Sequence, residues 1–189
     1  MICRKSDSDS TKKIIDILKN GGIAVLPTDT VYGFSGLADD VNHCDQRIRK
    51  IKGREESKPF IQLISSPQKI SAYTDDCIPE ALLAHWPGPL TIIVNDKRFS
   101  DKKIKTAFRC PGDIWLRSIL EELDFPLYST SVNRSGKPVL DEEGLIVNEF
   151  ENEVDLIVLD GDKKNALPST IVQIEDSDVR ILRQGSLII

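Results

Sequence analysis

Hydrophobic and polar residues recur along this chain with two different periods, which predict helices interleaved with strands. Apolar residues at helical spacing between Lys12 and Leu18 predict a first helix, with Ser8 or Ser10 as its N-cap and Gly21-Gly22 as its end. We predict further helices at 42–52, 79–86 and 114–123, a polar turn at 28–36, and strands at 23–26, 60–64, 90–94, 106–109, 127–131, 156–159, 170–174 and 179–182. This order is typical of an α/β fold with an open, twisted, mixed sheet flanked by helices.

Length and charge limit the classes of protein that fit this pattern. The 189 residues suit one domain and contain no Gly-, Ser- or Pro-rich linker, so we expect residues 1–189 to form a single domain. A net charge of −5 excludes a broad basic surface for a polyanion. Four isolated cysteines suit a reducing compartment. Since no long apolar run is present, we expect a soluble, cytoplasmic protein that does not bind a membrane.

The histidines and glycines argue against several common kinds of active site. His43 and His85 have no second ligand at metal-binding spacing, so we expect no metal site in the protein itself. The same scarcity of histidine disfavours Ser-His-Asp and Cys-His hydrolases. Neither G-x-G-x-x-G nor a Walker A sequence occurs, so the common phosphate-binding loops are absent as well.

Polar residues gather at four predicted strand ends. These segments are 27–33, Arg109 before Cys110-Pro111, 129–133, and the loop 168–170. In open α/β sheets, ligands bind in the crevice at the carboxyl ends of the strands, so the four segments together indicate a binding crevice. Each segment by itself is better explained as an ordinary turn, because hydroxyl and amide side chains are common turn residues.

Three cations cluster after the second predicted helix. Gly53 is placed to end that helix at C′ and to reverse the chain, so that Lys52 and Arg54 can meet over one anion. Lys58, held by Pro59, would add a third cation. The alternative is a solvated, charged helix end stabilised by the helix dipole, and the segment alone leaves both interpretations open.

Seven segments, taken in order, resemble the YrdC/Sua5 family and together span nearly the whole chain. They are PTDTVYGFSG (27–36), Lys52-Gly53-Arg54 with Lys58-Pro59, WPGPLT (86–91), FRCP (108–111), STSVNRSGKP (129–138), STIV (169–172) and ILRQG (181–185). The resemblance is to the short bacterial form, which lacks the additional C-terminal domain of the longer type. Two positions depart from the family pattern: Leu63 stands where some members have a histidine, and Val132 is larger than the usual alanine.

The resemblance implies a YrdC-like sheet with a concave, positively lined pocket, and a nucleotidyltransferase activity. Family members make L-threonylcarbamoyladenylate from L-threonine, bicarbonate and ATP, with Mg²⁺ accompanying the ATP, and release pyrophosphate. A downstream threonylcarbamoyl transferase complex then uses the product to form N6-threonylcarbamoyladenosine in tRNA. The enzyme itself is expected to contact tRNA only indirectly or weakly.

The family pattern also implies a role for individual residues, position by position. The residues assigned to ATP are Lys52 and Arg54, which are the catalytic pair at the phosphates, Lys58 beside them, Ser131 and Asn133 at phosphate or ribose, and Arg183 on the nucleotide side. The residues assigned to threonine are Arg109 at its carboxylate, Thr28 and Ser129 around the amino acid, and Ser169 near its hydroxyl. No residue is assigned to a metal.

Three alternatives remain open from the sequence. The first is a non-enzymatic module that binds double-stranded RNA, against which the net charge of −5 argues. The second is a YciO-type paralogue that retains the pocket and acts on a different substrate. The third is a carbamoyl-transfer domain like that of hydrogenase-maturation proteins, which carry acylphosphatase-like and zinc-finger segments that do not occur here.

Overall fold

Ten strands form one mixed sheet in the computed structural model, which describes residues 1–54, 59–102, 104–175 and 178–189. The strands are β1 (Ile2–Arg4), β2 (Ala24–Leu26), β3 (Gly33–Leu37), β4 (Ile61–Leu63), β5 (Leu90–Asn95), β6 (Lys105–Arg109), β7 (Leu127–Ser131), β8 (Leu156–Leu159), β9 (Thr170–Glu175) and β10 (Asp178–Arg183). Their order across the sheet is β1-β8-β2-β3-β7-β4-β6-β5-β9-β10. All eight predicted strands are present, with ends within one residue of the prediction, and the mixed open sheet is confirmed.

Within the described residues, five α-helices and two 3₁₀ helices connect the strands. They are α1 (Ser10–Lys19), α2 (Cys44–Lys52), α3 (Glu80–Leu83), α4 (Ile114–Leu123) and α5 (Glu143–Phe150), with 3₁₀ helices at Pro67–Ala72 and Lys97–Lys102. The prediction of a helix at 79–86 was too long, because the residue before a proline disfavours helical backbone and Pro87 follows directly. β1 and α5 were not predicted, since both are short and α5 includes Gly144.

The prediction of a polar turn throughout 28–36 was wrong, because β3 begins within it and lies between β2 and β7. Glycine and serine make this strand look like a loop in sequence, whereas the sheet requires small residues there. A Cβ atom at Gly36 would lie 2.8 Å from the Cβ of Cys44, and one at Gly33 would lie 2.8 Å from the Ser129 hydroxyl. Close packing of β3 against α2 and β7 therefore explains its composition.

One face of the sheet changes from apolar core to polar surface along two neighbouring strands. Leu63 of β4 and Leu127 of β7 lie opposite each other and are buried in the core that α1 and α4 cover. Two residues further along, on the same face, Ile61 lies opposite Ser129. Because Ser131 follows Ser129 by two residues, it shares this face, and β7 passes from a buried leucine to half-buried polar side chains.

Candidate active site

A cavity of about 190 Å³ opens at the polar end of this face. It lies among the loop after β2, the segment after α2, the ends of β6 and β7, and the loop before β9. Its lining residues are Thr28, Thr30, Val31, Tyr32, Gly33, Arg54, Pro59, Phe60, Ile61, Arg109, Ser129, Thr130, Ser131, Pro168, Ser169, Ile171 and Arg183. With Arg183 at the end of β10, the fold thus brings six separate stretches of the sequence to one place.

Seven of the ten residues singled out from the sequence line this cavity. They are Thr28, Arg54, Arg109, Ser129, Ser131, Ser169 and Arg183. Lys52 and Asn133 are not lining residues, although Lys52 donates hydrogen bonds to the backbone of Ser131 and Asn133. Lys58 lies outside the described residues.

Arg109 is fixed from three sides. It is 5% exposed, and its guanidinium donates to the Gly88 carbonyl at 3.0 Å, the Thr30 hydroxyl at 2.9 Å and an Asp29 carboxylate oxygen at 2.6 Å. Burial lowers the pKa of Arg109, and the charge of Asp29 opposes that effect. An arginine stays protonated even so, and two of its N–H bonds remain for a ligand. The WPGP corner therefore has a structural role, since its Gly88 carbonyl orients Arg109.

Sequence reasoning missed Asp29 and Thr30, although both lie in the PTDT segment that it had selected. Since the Thr28 hydroxyl donates to the Val31 carbonyl at 2.8 Å, the hydroxyl of Thr30 is the donor in the 3.0 Å contact between the two threonines. Thr30 accepts from Arg109 at the same time. The hydroxyl of Thr28 thus braces the loop, while Thr30 links that loop to the guanidinium.

Ser169 and Arg183 form a second polar pair in the cavity. The Arg183 guanidinium donates to the Ser169 carbonyl at 2.8 Å, and the buried Ser169 hydroxyl lies 2.8 Å from the Thr91 hydroxyl. Desolvation of this guanidinium, followed by the charge of nearby Arg109, lowers the pKa of Arg183. Two arginines therefore lie close enough to repel each other, which an anion between them would relieve.

Arg54 is held more loosely than Arg109. Gly53 ends α2 with a left-handed φ of 60°, as the sequence predicts, and turns Arg54 toward β7. The Arg54 guanidinium donates to the Thr130 hydroxyl at 3.1 Å and to the Pro59 carbonyl at 3.2 Å, and its carbon lies 4.9 Å from the centre of the Phe60 ring. Its buried Nε has no hydrogen-bond partner among the described residues. Burial, followed by the charge of Arg49, lowers the pKa of Arg54.

Lys52 is buried behind the cavity wall. Its ammonium donates to the carbonyl of Ser131, and to the carbonyl and side-chain oxygen of Asn133 at 2.9 Å each. Burial, and to a lesser degree the charge of Arg54, lowers the pKa of Lys52 to about 7. The three acceptors act in the opposite direction, because only the protonated form offers three N–H bonds.

The cavity suits an anionic ligand that also carries hydrogen-bonding groups. Three arginines line it, and none of its described lining residues is acidic. No group of His, Cys, Asp and Glu that could hold a metal ion occurs among the residues that the structure describes. The Ser129 hydroxyl lines the cavity, has no hydrogen-bond partner among the described residues, and is available to a ligand. Within the described ranges, no helix has the length and apolar character that a membrane crossing requires.

Comparisons with known proteins agree on one family. Residues 16–185 match the Sua5/YciO/YrdC family model, whose description is "Telomere recombination". A Methanocaldococcus jannaschii protein named "Putative threonylcarbamoyl-AMP synthase" is 32% identical over 193 residues, which cover 95% of this chain and 89% of the relative.

Solved structures share the fold over almost the whole chain. Pyrococcus abyssi Sua5 complexed with L-threonine superimposes with a TM-score of 0.86 and 25% identity over 99% of this chain, which spans 57% of that protein. The YciO protein of E. coli superimposes with a TM-score of 0.83 and 23% identity, covering 98% of this chain and 94% of the other.

Proposed function

Because the chain belongs to the Sua5/YciO/YrdC family, we propose that it is an L-threonylcarbamoyladenylate synthase, an ATP-dependent nucleotidyltransferase. Its substrates are L-threonine, bicarbonate and ATP, and it releases pyrophosphate. The name of the M. jannaschii relative and the threonine complex of P. abyssi Sua5 support this choice. Within this chain, the proposal rests on one observation, the convergence of Arg54, Arg109 and Arg183 on a single cavity.

Arg109 binds the threonine carboxylate in this proposal. Its two remaining N–H bonds suit a carboxylate, and its orientation is set before the ligand arrives by Asp29, Thr30 and Gly88. Ser129 offers the free hydroxyl beside the amino acid, and the Ser169 hydroxyl lies at the end near Arg183. Thr28 contributes by supporting the loop, because its own hydroxyl is already used.

Arg54 binds the phosphates of ATP, with Arg183 between the two substrates. Among the described residues, the Nε of Arg54 has no partner and its other contacts are long, which leaves the guanidinium free to turn toward an oxyanion. The Ser131 hydroxyl lines the cavity and donates to Asn133 at 2.7 Å, so its lone pairs suit a donor such as a ribose hydroxyl. A cavity of about 190 Å³ is smaller than the roughly 300–1,000 Å³ of typical ligand pockets, so the adenosine extends beyond it.

The reaction needs positioning and charge stabilisation more than a protein nucleophile. The threonine amine attacks the carbon of bicarbonate, with loss of water, or of CO₂, with release of an amine proton, and in both cases forms a carbamate. A carbamate oxygen then attacks the α-phosphorus, and the bond to the β-phosphate oxygen breaks with its electron pair leaving on pyrophosphate. Arg54 and Arg183 stabilise the charge that develops on the phosphates, and the enclosing walls limit hydrolysis of the carbamate.

Magnesium enters with ATP in this account. The ion prefers carboxylate and phosphate oxygens, and the described lining residues provide no carboxylate. The phosphates themselves therefore hold the ion, and no step is assigned to it here. The product then passes to a threonylcarbamoyl transferase complex that acts on tRNA, and we place this sequence of reactions in the cytoplasm.

Pyrophosphate release tests the proposal. The protein is mixed with ATP, Mg²⁺, bicarbonate and one amino acid at a time, and pyrophosphate is measured. We expect release with L-threonine that falls when bicarbonate is removed. Pyrophosphate release with another amino acid, and none with L-threonine, would instead identify a paralogue with a different substrate. No release with any amino acid, together with binding of double-stranded RNA that weakens steeply with salt, would favour the RNA-binding alternative.

A further inference from the structure

The side chain of Lys52 is saturated by protein acceptors. The residue is 3% exposed, and its three N–H bonds are directed to the Ser131 carbonyl, the Asn133 carbonyl and the Asn133 side chain. The Phe34 ring lies below it, with the ammonium 5.3 Å from the ring centre. No carboxylate pairs with Lys52 in the described part of the chain. Direct contact with a phosphate would therefore require the ammonium to abandon one of these bonds.

Asn133 is saturated in the same way. Its side-chain oxygen accepts from Lys52 and from the Ser131 hydroxyl, and its amide nitrogen donates to the carbonyls of Arg134 and Lys137 at 3.0 and 2.7 Å. An asparagine amide offers two donors and one acceptor oxygen, so all of these groups are in use. Asn133 thus organises the chain after β7 and has no group left to present to a ligand.

The main chain joins the same two segments a second time. The Ser135 N–H donates to the Lys52 carbonyl at 2.7 Å, and the Arg134 guanidinium donates to the Ile51 carbonyl. Both acceptors are carbonyls of the last turn of α2, which lack partners within the helix itself. The end of α2 and the residues after β7 therefore form one connected unit, which Arg54 follows directly after the Gly53 cap of α2 and which Ser131 joins at the end of β7.

We propose that Lys52 is a positioning residue, whose ammonium fixes the exit of β7 against the end of α2 and so sets Arg54 and Ser131 at the spacing that ATP requires. This role rests on the proposed function, because it concerns the site for ATP. It differs from the direct phosphate contact that the family pattern implies, since Lys52 acts through Ser131 and Asn133. Because burial lowers the pKa of Lys52 to about 7, its three N–H bonds are all present below that pH, where the variants below are compared, and one of them is lost above it.

A double-mutant cycle on ATP affinity separates the two roles. We expect Lys52→Met and Asn133→Ala each to weaken ATP binding about tenfold to a hundredfold. The double variant should bind ATP no more than about threefold worse than whichever single variant has the lower ATP affinity. Threonine affinity, measured alone, should stay unchanged, which a general loss of structure would not allow. The control is Lys50→Met, an exposed lysine of the same helix, which should bind ATP like the wild type. Independent, additive losses would overturn the proposal and favour direct contact.

A second variant and a second readout keep the test decisive. Lys52→Gln retains two N–H donors without the charge, so it should bind ATP better than Lys52→Met, whereas equal losses would favour direct charge contact. Hydrogen exchange of residues 131–137 in the ligand-free protein should be faster in both variants than in Lys50→Met, and equal exchange would overturn the positioning role. If the wild type itself does not bind ATP, the proposed function fails, and the exchange measurement alone then decides the role of Lys52.

Discussion

Arg109 and Arg54 line the same cavity, yet the protein holds them in different ways. Arg109 is 5% exposed and makes three hydrogen bonds of 3.0 Å or less, one of them to a carboxylate. Arg54 is half-buried and, within the part of the chain that the structure describes, makes two bonds longer than 3.0 Å and has one N–H group without a partner. The braced arginine suits a small, rigid carboxylate, and the looser arginine suits a triphosphate whose charge moves during the reaction.

Removal of the braced arginine should have the largest effect. Truncation of one partner of a buried, hydrogen-bonded charge pair between two binding partners costs about 2–5 kcal/mol, and Arg109→Ala would leave the threonine carboxylate without its counter-charge. We therefore expect Arg109→Ala to raise the threonine KM roughly several hundred-fold and to change the ATP KM little. Arg180→Ala, at an exposed position of β10, is the control. A larger change in the ATP KM would show that the two subsites are exchanged.

Removal of the looser arginine should act on turnover. A lost preorganised charge at a developing anion costs on the order of 3 kcal/mol, so Arg54→Ala should lower kcat about a hundredfold at saturating threonine. The threonine KM should remain near that of the wild type. Steady-state kinetics beside Lys50→Ala would check this expectation, and wild-type turnover in Arg54→Ala would remove Arg54 from the phosphate site.

The lysine behind Arg54 should make stability depend on pH. Between its folded pKa of about 7 and its ordinary value of 10.5, Lys52 has lost its proton in the folded protein and retains it when unfolded. The free energy of unfolding therefore rises with pH in this window, by up to about 1.4 kcal/mol per pH unit. When the free energy of unfolding is measured with urea at pH 7.5 and 9, its value for the wild type relative to Lys52→Met should rise with pH. A difference independent of pH would mean that the three carbonyl acceptors keep Lys52 protonated throughout.

The smallest expected effect concerns Asp29, the carboxylate that holds Arg109 in place. Asp29→Asn retains an oxygen that can accept from the guanidinium and loses only the charge, so we expect a rise of about threefold to fivefold in the threonine KM. Asp29→Glu keeps the charge and should therefore raise the threonine KM less than Asp29→Asn does. If Asp29→Asn instead raised the ATP KM, the brace would belong to the nucleotide site.

Most of the fold follows from local patterns, and the site follows only in part. Helix α4 and strands β7 and β8 have the predicted bounds, because caps and apolar periodicity act over a few residues. β3 escaped prediction because its small residues are required by neighbours distant in sequence. The orientation of side chains was equally out of reach: Lys52 and Arg54 are two residues apart, and only the three-dimensional structure places Lys52 behind the wall and Arg54 in it.

A crystal structure with L-threonine, bicarbonate and a non-hydrolysable ATP analogue bound together is the most direct test of the account. We expect the threonine carboxylate on the free N–H bonds of Arg109 and the α-phosphate within hydrogen-bond distance of Arg54 or Arg183, with Lys52 still held by Ser131 and Asn133. Threonine bound outside this cavity, or an α-phosphate remote from these arginines, would contradict the account.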